Sequence, residues 1–99
     1  MKIQKSSEDY LETMLMLSEQ RGYIKSIDIA RHLDVTKPSV SYATKRLREN
    51  GYITMDNDGL IHLTDIGMSI ATKIYDRHKM LSRFLMLLGI DKETADNDA

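Results

Sequence analysis

The stretch SIDIARHLDVTKPSVSYATKRLRENG, residues 26–51, decides the fold of this 99-residue chain. Ile29, Ala30 and Leu33 share one face of a short helix predicted over 27–33, with Ser26 as its cap. Asp34 and Val35 make a tight turn, and Thr36 caps a second helix. Pro38 falls in the first turn of that helix, where a missing N–H costs nothing. Val40, Ala43 and Leu47 form its buried face, and Gly51 supplies the stop. Its opposite side carries Ser39, Ser41, Tyr42, Lys45 and Arg46.

The flanks complete the pattern. Downstream, Tyr52–Met55 and Leu60–Leu63 are short strand candidates around Asp56-Asn57-Asp58-Gly59, and Asp-Gly predicts a tight turn with positive φ at Asp58 and Gly59. Thr64 and Asp65 then open a long helix carrying Ile66, Ile70, Ile74, Leu81, Phe84, Leu85 and Leu88, which stops near Gly89. Asp91 is placed to cap a further helix. Upstream, Ser6 or Ser7 caps a first helix whose Glu8 and Asp9 suit its positive end. Tyr10, Met14 and Leu17 with Leu11 and Leu15 give that helix one apolar stripe, ended by Gly22. Helix, helix–turn–helix and hairpin in this order predict a mainly α fold with a small β-hairpin wing, a winged helix-turn-helix.

Composition narrows the function. Hydrophobic residues at 41% and charged residues at 29% describe an ordinary soluble chain, and zero Cys excludes disulfides, thiolate metal sites and a thiol nucleophile. Phe84–Ile90, the longest strongly apolar run, is far short of the roughly 20 residues that span a bilayer, and no secretory leader is visible. A cytoplasmic protein without membrane contact is expected. The net charge of −1 hides a gradient, since residues 31–50 balance at +3 and residues 91–99 at −3. The five glycines are dispersed, so no phosphate-cradling loop exists, and no nucleophile–base signature supports catalysis.

Two constellations carry chemistry. On the second helix of the pair, Lys37, Lys45, Arg46 and Arg48 suit phosphates, while Ser39, Ser41 and Tyr42 suit base edges in a major groove. Thr36 and Lys37 sit where backbone N–H groups favour phosphate. Solvation of an ordinary helix face is the plain alternative. The second constellation pairs Asp9 and Glu12, at i and i+3 on the first helix, with His78 on the long one. Two carboxylates and an imidazole are a partial donor set for manganese or iron, though each residue also suits its helix without a metal. Asp56–Gly59 echoes a calcium loop but lacks its spacing and closing Glu, so a wing turn is the better reading. His32 and His62 have no partner at metal-ligand spacing and are expected at the surface or partly buried, and the Met residues are expected as flexible core filler.

The segment Ser7-Glu8-Asp9-Tyr10-Leu11-Glu12 resembles the opening of the metal-dependent repressors of the diphtheria toxin repressor and manganese transport regulator family. Val35-Thr36-Lys37-Pro38-Ser39-Val40-Ser41, Leu63-Thr64 with Gly67, and Arg77-His78 through Phe84-Leu85 to Gly89-Ile90-Asp91 are similar to theirs in the same order. The resemblance implies a homodimer on a palindromic operator, repressing metal-uptake genes when metal is bound. It implies Asp9, Glu12 and His78 as ligands of the manganese branch, the iron branch having Met where Asp9 stands. Mn2+ is therefore expected, with Fe2+ the alternative. Thr36, Pro38, Ser39 and Tyr42 match positions near DNA, Tyr42 departing from the Gln of the iron branch. Residues 1–64 are expected to form the DNA-binding domain, and residues 65–99 a linker helix and the start of a dimerisation and metal-binding region. The family's next helix, with a Glu-or-Cys, x, x, Glu-His pattern, would begin just after Ala99, so a truncated or unusually short relative is expected. A regulator answering an organic ligand, and a winged-helix module for protein contacts alone, are the rival readings.

Overall fold

A computed structural model describes residues 5–89. Its elements are α1 (Lys5–Arg21), α2 (Ser26–Leu33), α3 (Lys37–Glu49), β1 (Ile53–Met55), β2 (Ile61–Leu63) and α4 (Asp65–Leu87). The two strands pair antiparallel with Thr54 opposite His62. The expected further helix around Asp91 lies outside the described residues.

One core serves all six elements. Leu11 and Met14 of α1, Ile29 of α2, Val40 of α3, Ile53 and Ile61 of the hairpin and Ala71 of α4 are all buried in it. The stripe predicted on α1 is buried throughout, and α1 lies along α4. Thr13, Asp28 and Thr44 are the polar residues buried with them. Asp28 is 7% exposed and is met by Arg21 Nη1 at 3.2 Å, which ties the end of α1 to α2. The Thr44 hydroxyl donates to the Ser41 carbonyl at 3.2 Å. A buried carboxylate or hydroxyl is tolerated when partnered in this way.

The α2–α3 turn is as the sequence implies. Asp34 adopts φ 56°, ψ 51°, a left-handed conformation that Asp enters more readily than most other non-glycine residues. The Val35 N–H then reaches back to the Ala30 carbonyl at 3.1 Å. Two expected caps differ. α2 begins after Lys25, which makes no side-chain cap, so Ser26 is its first helical residue. Ser6 and Ser7 lie inside α1, which already includes Lys5.

The wing is joined to α4 by one residue. Thr64 caps α4 by accepting from the Gly67 N–H at 3.2 Å. Its hydroxyl proton is shared between the carbonyls of Gly51 at 2.7 Å and Tyr52 at 3.0 Å. Its own N–H also donates to the Tyr52 carbonyl, at 3.1 Å. On the other side, the Ile61 N–H donates to the Ile24 carbonyl at 3.0 Å, so β2 is anchored to the segment between α1 and α2.

The hairpin turn corrects an expectation. Gly59 has φ 81°, but Asp34 is the one non-glycine described residue with positive φ, so Asp58 does not share the conformation. The reason is the turn type. The Gly59 N–H donates to the Asp56 carbonyl at 3.0 Å and the Asp56 N–H to the Leu60 carbonyl at 2.9 Å, a three-residue loop needing a single left-handed position. Asp56 organises the loop, accepting from the N–H groups of Asp58 at 2.9 Å and Leu60 at 3.0 Å. Its other oxygen meets His62 Nε2 at 2.8 Å, a partner the sequence reading did not give His62.

The His62 hydrogen bond, followed by the Leu60 N–H, holds the Asp56 carboxyl below its ordinary value of 3.8. A depressed folded value means that the turn is favoured above the unfolded pKa and released as pH falls through the folded one. Lowering the pH from neutrality to below 3.8 is therefore expected to reduce amide protection at Asp58 and Leu60, and Asp56→Asn to flatten that dependence. Protection that is indifferent to pH at both amides would contradict it.

Candidate nucleic-acid interface and metal-ligating residues

Capping sets the entry of α3. Thr36 Oγ1 accepts from the Ser39 N–H at 3.2 Å and lies 2.9 Å from Ser39 Oγ. The Ser39 hydroxyl is thus drawn back into the cap rather than standing free. Burial of Val40, Thr44 and Leu47 then turns the rest of α3 outward, leaving Thr36, Lys37, Pro38, Ser39, Ser41, Tyr42, Lys45, Arg46 and Arg48 all exposed.

These residues do not form one cluster. Ser39, Tyr42 and Arg46 line a cleft of about 420 Å³ shared with Ser6, Ser7 and Tyr10 of α1. Lys37 and Ser41 line a separate cleft of about 310 Å³, against Ser26 and Ile27 of α2. The outward ridge runs from Pro38 and Tyr42, which also border the first cleft, to Lys45 and Glu49, in steps of three or four residues. The sequence reading missed the Glu49 carboxylate on this ridge, although its spacing of seven from Tyr42 places it there. It also missed Ser6, Ser7 and Tyr10 beside α3, which no local pattern reveals. Burial raises the Tyr10 phenol above its ordinary value.

Tyr42 and Arg46 are coupled. Arg46 Nη1 donates to the Tyr42 hydroxyl at 3.2 Å, and the guanidinium carbon is 5.8 Å from the ring centroid. Among the described residues no carboxylate pairs with Arg46. The i, i+4 spacing of an aromatic and an Arg is the signal by which the pair could have been found.

Glu12 and His78, 66 positions apart, meet where α1 crosses α4, with His78 Nδ1 2.5 Å from Glu12 Oε2. Both are partly exposed, at 24% and 49%. Asp9 stands one turn earlier on α1 and is half-buried. Among the described residues no three His, Cys, Asp or Glu side chains converge, so Asp9 is not brought to the pair. An imidazole nitrogen beside a carboxylate oxygen is nonetheless a donor combination that fits manganese or iron. The pair therefore suits part of a coordination sphere, and further donors are needed to complete one.

The second half of α4 stands apart from the core. Met80, Leu81, Phe84, Met86, Leu87 and Leu88 are exposed there, so Met80 and Met86 are not the core filler expected of them, whereas Met14 is. Among the described residues no helix is long and apolar enough to cross a membrane.

Residues 2–61 match the family described as iron dependent repressor, N-terminal DNA binding domain. The HTH-type transcriptional regulator MntR of Bacillus subtilis (strain 168) is 36% identical over 93 residues, covering 94% of this chain and 66% of that protein. The chain therefore spans just under two-thirds of the length of this relative. Among solved structures, T. acidophilum IdeR is 25% identical with a TM-score of 0.80, over 99% of this chain and 46% of that one. Lactococcus lactis ZitR, solved in complex with DNA, shares the fold at a TM-score of 0.72 and 23% identity, over 97% of this chain and 68% of that one.

Proposed function

The chain belongs to the iron dependent repressor family through its N-terminal DNA-binding domain, and from that premise we propose that it is the DNA-reading part of a manganese-responsive repressor. The observation that carries the proposal is α3 itself. A capped helix, anchored by Val40, Thr44 and Leu47, offers a cationic and hydroxyl-bearing ridge beside a wing. A major groove admits one such helix, and its phosphates attract Lys and Arg.

In this reading residues 1–64 bind DNA, and residues 65–99 carry the link to metal and to a second copy. Lys37, Lys45 and Arg48 neutralise phosphates. Thr36, Pro38 and the cap-bound Ser39 shape the helix start, and Ser41 and Tyr42 approach base edges. The exposed apolar stripe of Met80, Phe84 and Leu87 supports a homodimer, which would place two α3 helices on a palindromic operator. Glu12 and His78, with Asp9 nearby, would hold the metal. A bound divalent cation would supply charge that binds α1 to α4, and α1 also lines the cleft beside Tyr42 and Arg46. Such an arrangement couples the two sites through one helix. Manganese is favoured over iron because the Asp9 carboxylate is a hard donor, in keeping with the MntR name of the relative.

The test is a salt titration of duplex binding with and without Mn2+. Lys45→Ala is expected to weaken binding about uniformly across sequences and to lower the log–log salt slope by about 0.9, the value for one phosphate contact. An unchanged slope would remove Lys45 from the interface. Manganese-independent affinity for every duplex would remove the metal response.

A further inference from the structure

We infer that Tyr42 is a positioning residue that holds Arg46 to read one guanine in each half-site, an inference that rests on the DNA-binding reading above. An Arg on a helix surface ordinarily samples many rotamers and meets phosphates as a mobile charge. Arg46 is held at two points by a single neighbour. One N–H is donated to the Tyr42 hydroxyl at 3.2 Å, and the guanidinium is 5.8 Å from the Tyr42 ring centroid. With no carboxylate paired to Arg46 among the described residues, nothing there competes for its remaining donors. Tyr42 is 65% exposed, so the pair stands clear of the core and faces outward.

The hydrogen-bond polarity determines what the pair can recognise. Because Tyr42 oxygen accepts from a cation, its own O–H is polarised and left to donate. Arg46 contributes only donors, so the unit presents more donors than acceptors. In the major groove guanine presents two adjacent acceptors, N7 and O6. Adenine pairs an acceptor with a donor, thymine pairs one with a methyl group, and cytosine offers a donor. A donor-rich unit therefore matches guanine better than any other base.

Spacing points the same way. Four residues of helix rise about 6 Å, close to two base steps. Two independent side chains at that separation would address different base pairs. The contact between Tyr42 and Arg46 instead brings both polar heads to one place. Lys45, between them in sequence, has no such partner among the contacts of the described residues and fits the phosphate role given above.

The experiment selects duplexes from a randomised pool with the 99-residue chain in the presence of Mn2+, then measures competition between the selected guanine site and the same site carrying adenine. Wild type is expected to select one guanine per half-site. Tyr42→Phe keeps the ring and removes the hydroxyl, and is expected to reduce the guanine-over-adenine preference about tenfold. Its circular dichroism melt should match wild type, and so should its salt slope, since no charge is removed. Arg46→Lys should show the same loss of preference, and the double variant should lose no more than either single one. A Tyr42→Phe variant with wild-type preference overturns the inference, as does one weakened equally on all sequences. Wild type that binds duplexes with no guanine preference overturns it while leaving the DNA-binding reading intact. Wild type that binds no duplex overturns both.

Discussion

Gly67→Ala is expected to destabilise the protein by about 3 kcal/mol, the upper part of the range for forcing extra volume into a packed site. A Cβ at this position would lie 2.0 Å from the Tyr52 carbonyl oxygen, 3.0 Å from its carbon and 3.4 Å from Leu63 Cδ2. The carbonyl is not free to retreat, because the Thr64 N–H and hydroxyl both hold it. Relief therefore requires the base of the wing to part from the start of α4. Urea unfolding should show a lower midpoint with an unchanged slope, and DNA affinity should fall with stability as the wing is displaced. Gly59→Asn is the control. Gly59 has φ 81° but no atom within 4 Å of a built Cβ, and Asn tolerates that conformation, so only a small loss is expected. A Gly67→Ala midpoint equal to wild type would show that the wing and α4 slide past one another freely.

Manganese at about a hundred times its dissociation constant is expected to stabilise the native chain by about 2.7 kcal/mol, as for any ligand that binds only the folded state. Glu12 and His78 meet only when α1 and α4 are packed, so an unfolded chain cannot offer both at once. The double variant Glu12→Gln, His78→Ala should lose the whole shift. Asp9→Ala should lose part of it, since Asp9 stands one turn away and is not joined to the pair. Weak binding is expected, because manganese takes about six oxygen or nitrogen donors and these residues supply only some of them. Thermal melts over a manganese series, with magnesium as the comparison ion, read the effect. A shift that survives in the double variant would place the metal elsewhere.

How legible each part was follows from the range of the interactions that build it. Thr36 and Thr64 as caps, Pro38 in a first turn, and the stops at Asp34 and Gly51 were readable in the sequence, because the atoms involved lie within a few residues. The stripe of Tyr10, Leu11, Met14, Leu15 and Leu17 was readable too, since helical periodicity commits a whole face at once. Where local rules offered near-equal options they misled. Ser6, Ser7 and Ser26 are all competent caps that the chain does not use, and the Asp-Gly turn took the form with one left-handed residue because the Asp56 carboxylate gathers the Asp58 and Leu60 N–H groups.

Sequence alone determined a helix-turn-helix with a wing, and which residues of α3 face outward. It proposed Asp9, Glu12 and His78 as a set but had no means of bringing them together. Tertiary structure decided that Glu12 meets His78, and it divided the α3 residues between two clefts. It also decided that position 67 must be glycine, because a carbonyl fifteen residues earlier occupies the space of a side chain. The physical reason is common to all three. Capping and periodicity are energies of neighbouring residues, written directly in the order of the chain. The distance between two helices is set by everything packed between them, and only the assembled core of Leu11, Met14, Ile29 and Ala71 determines it.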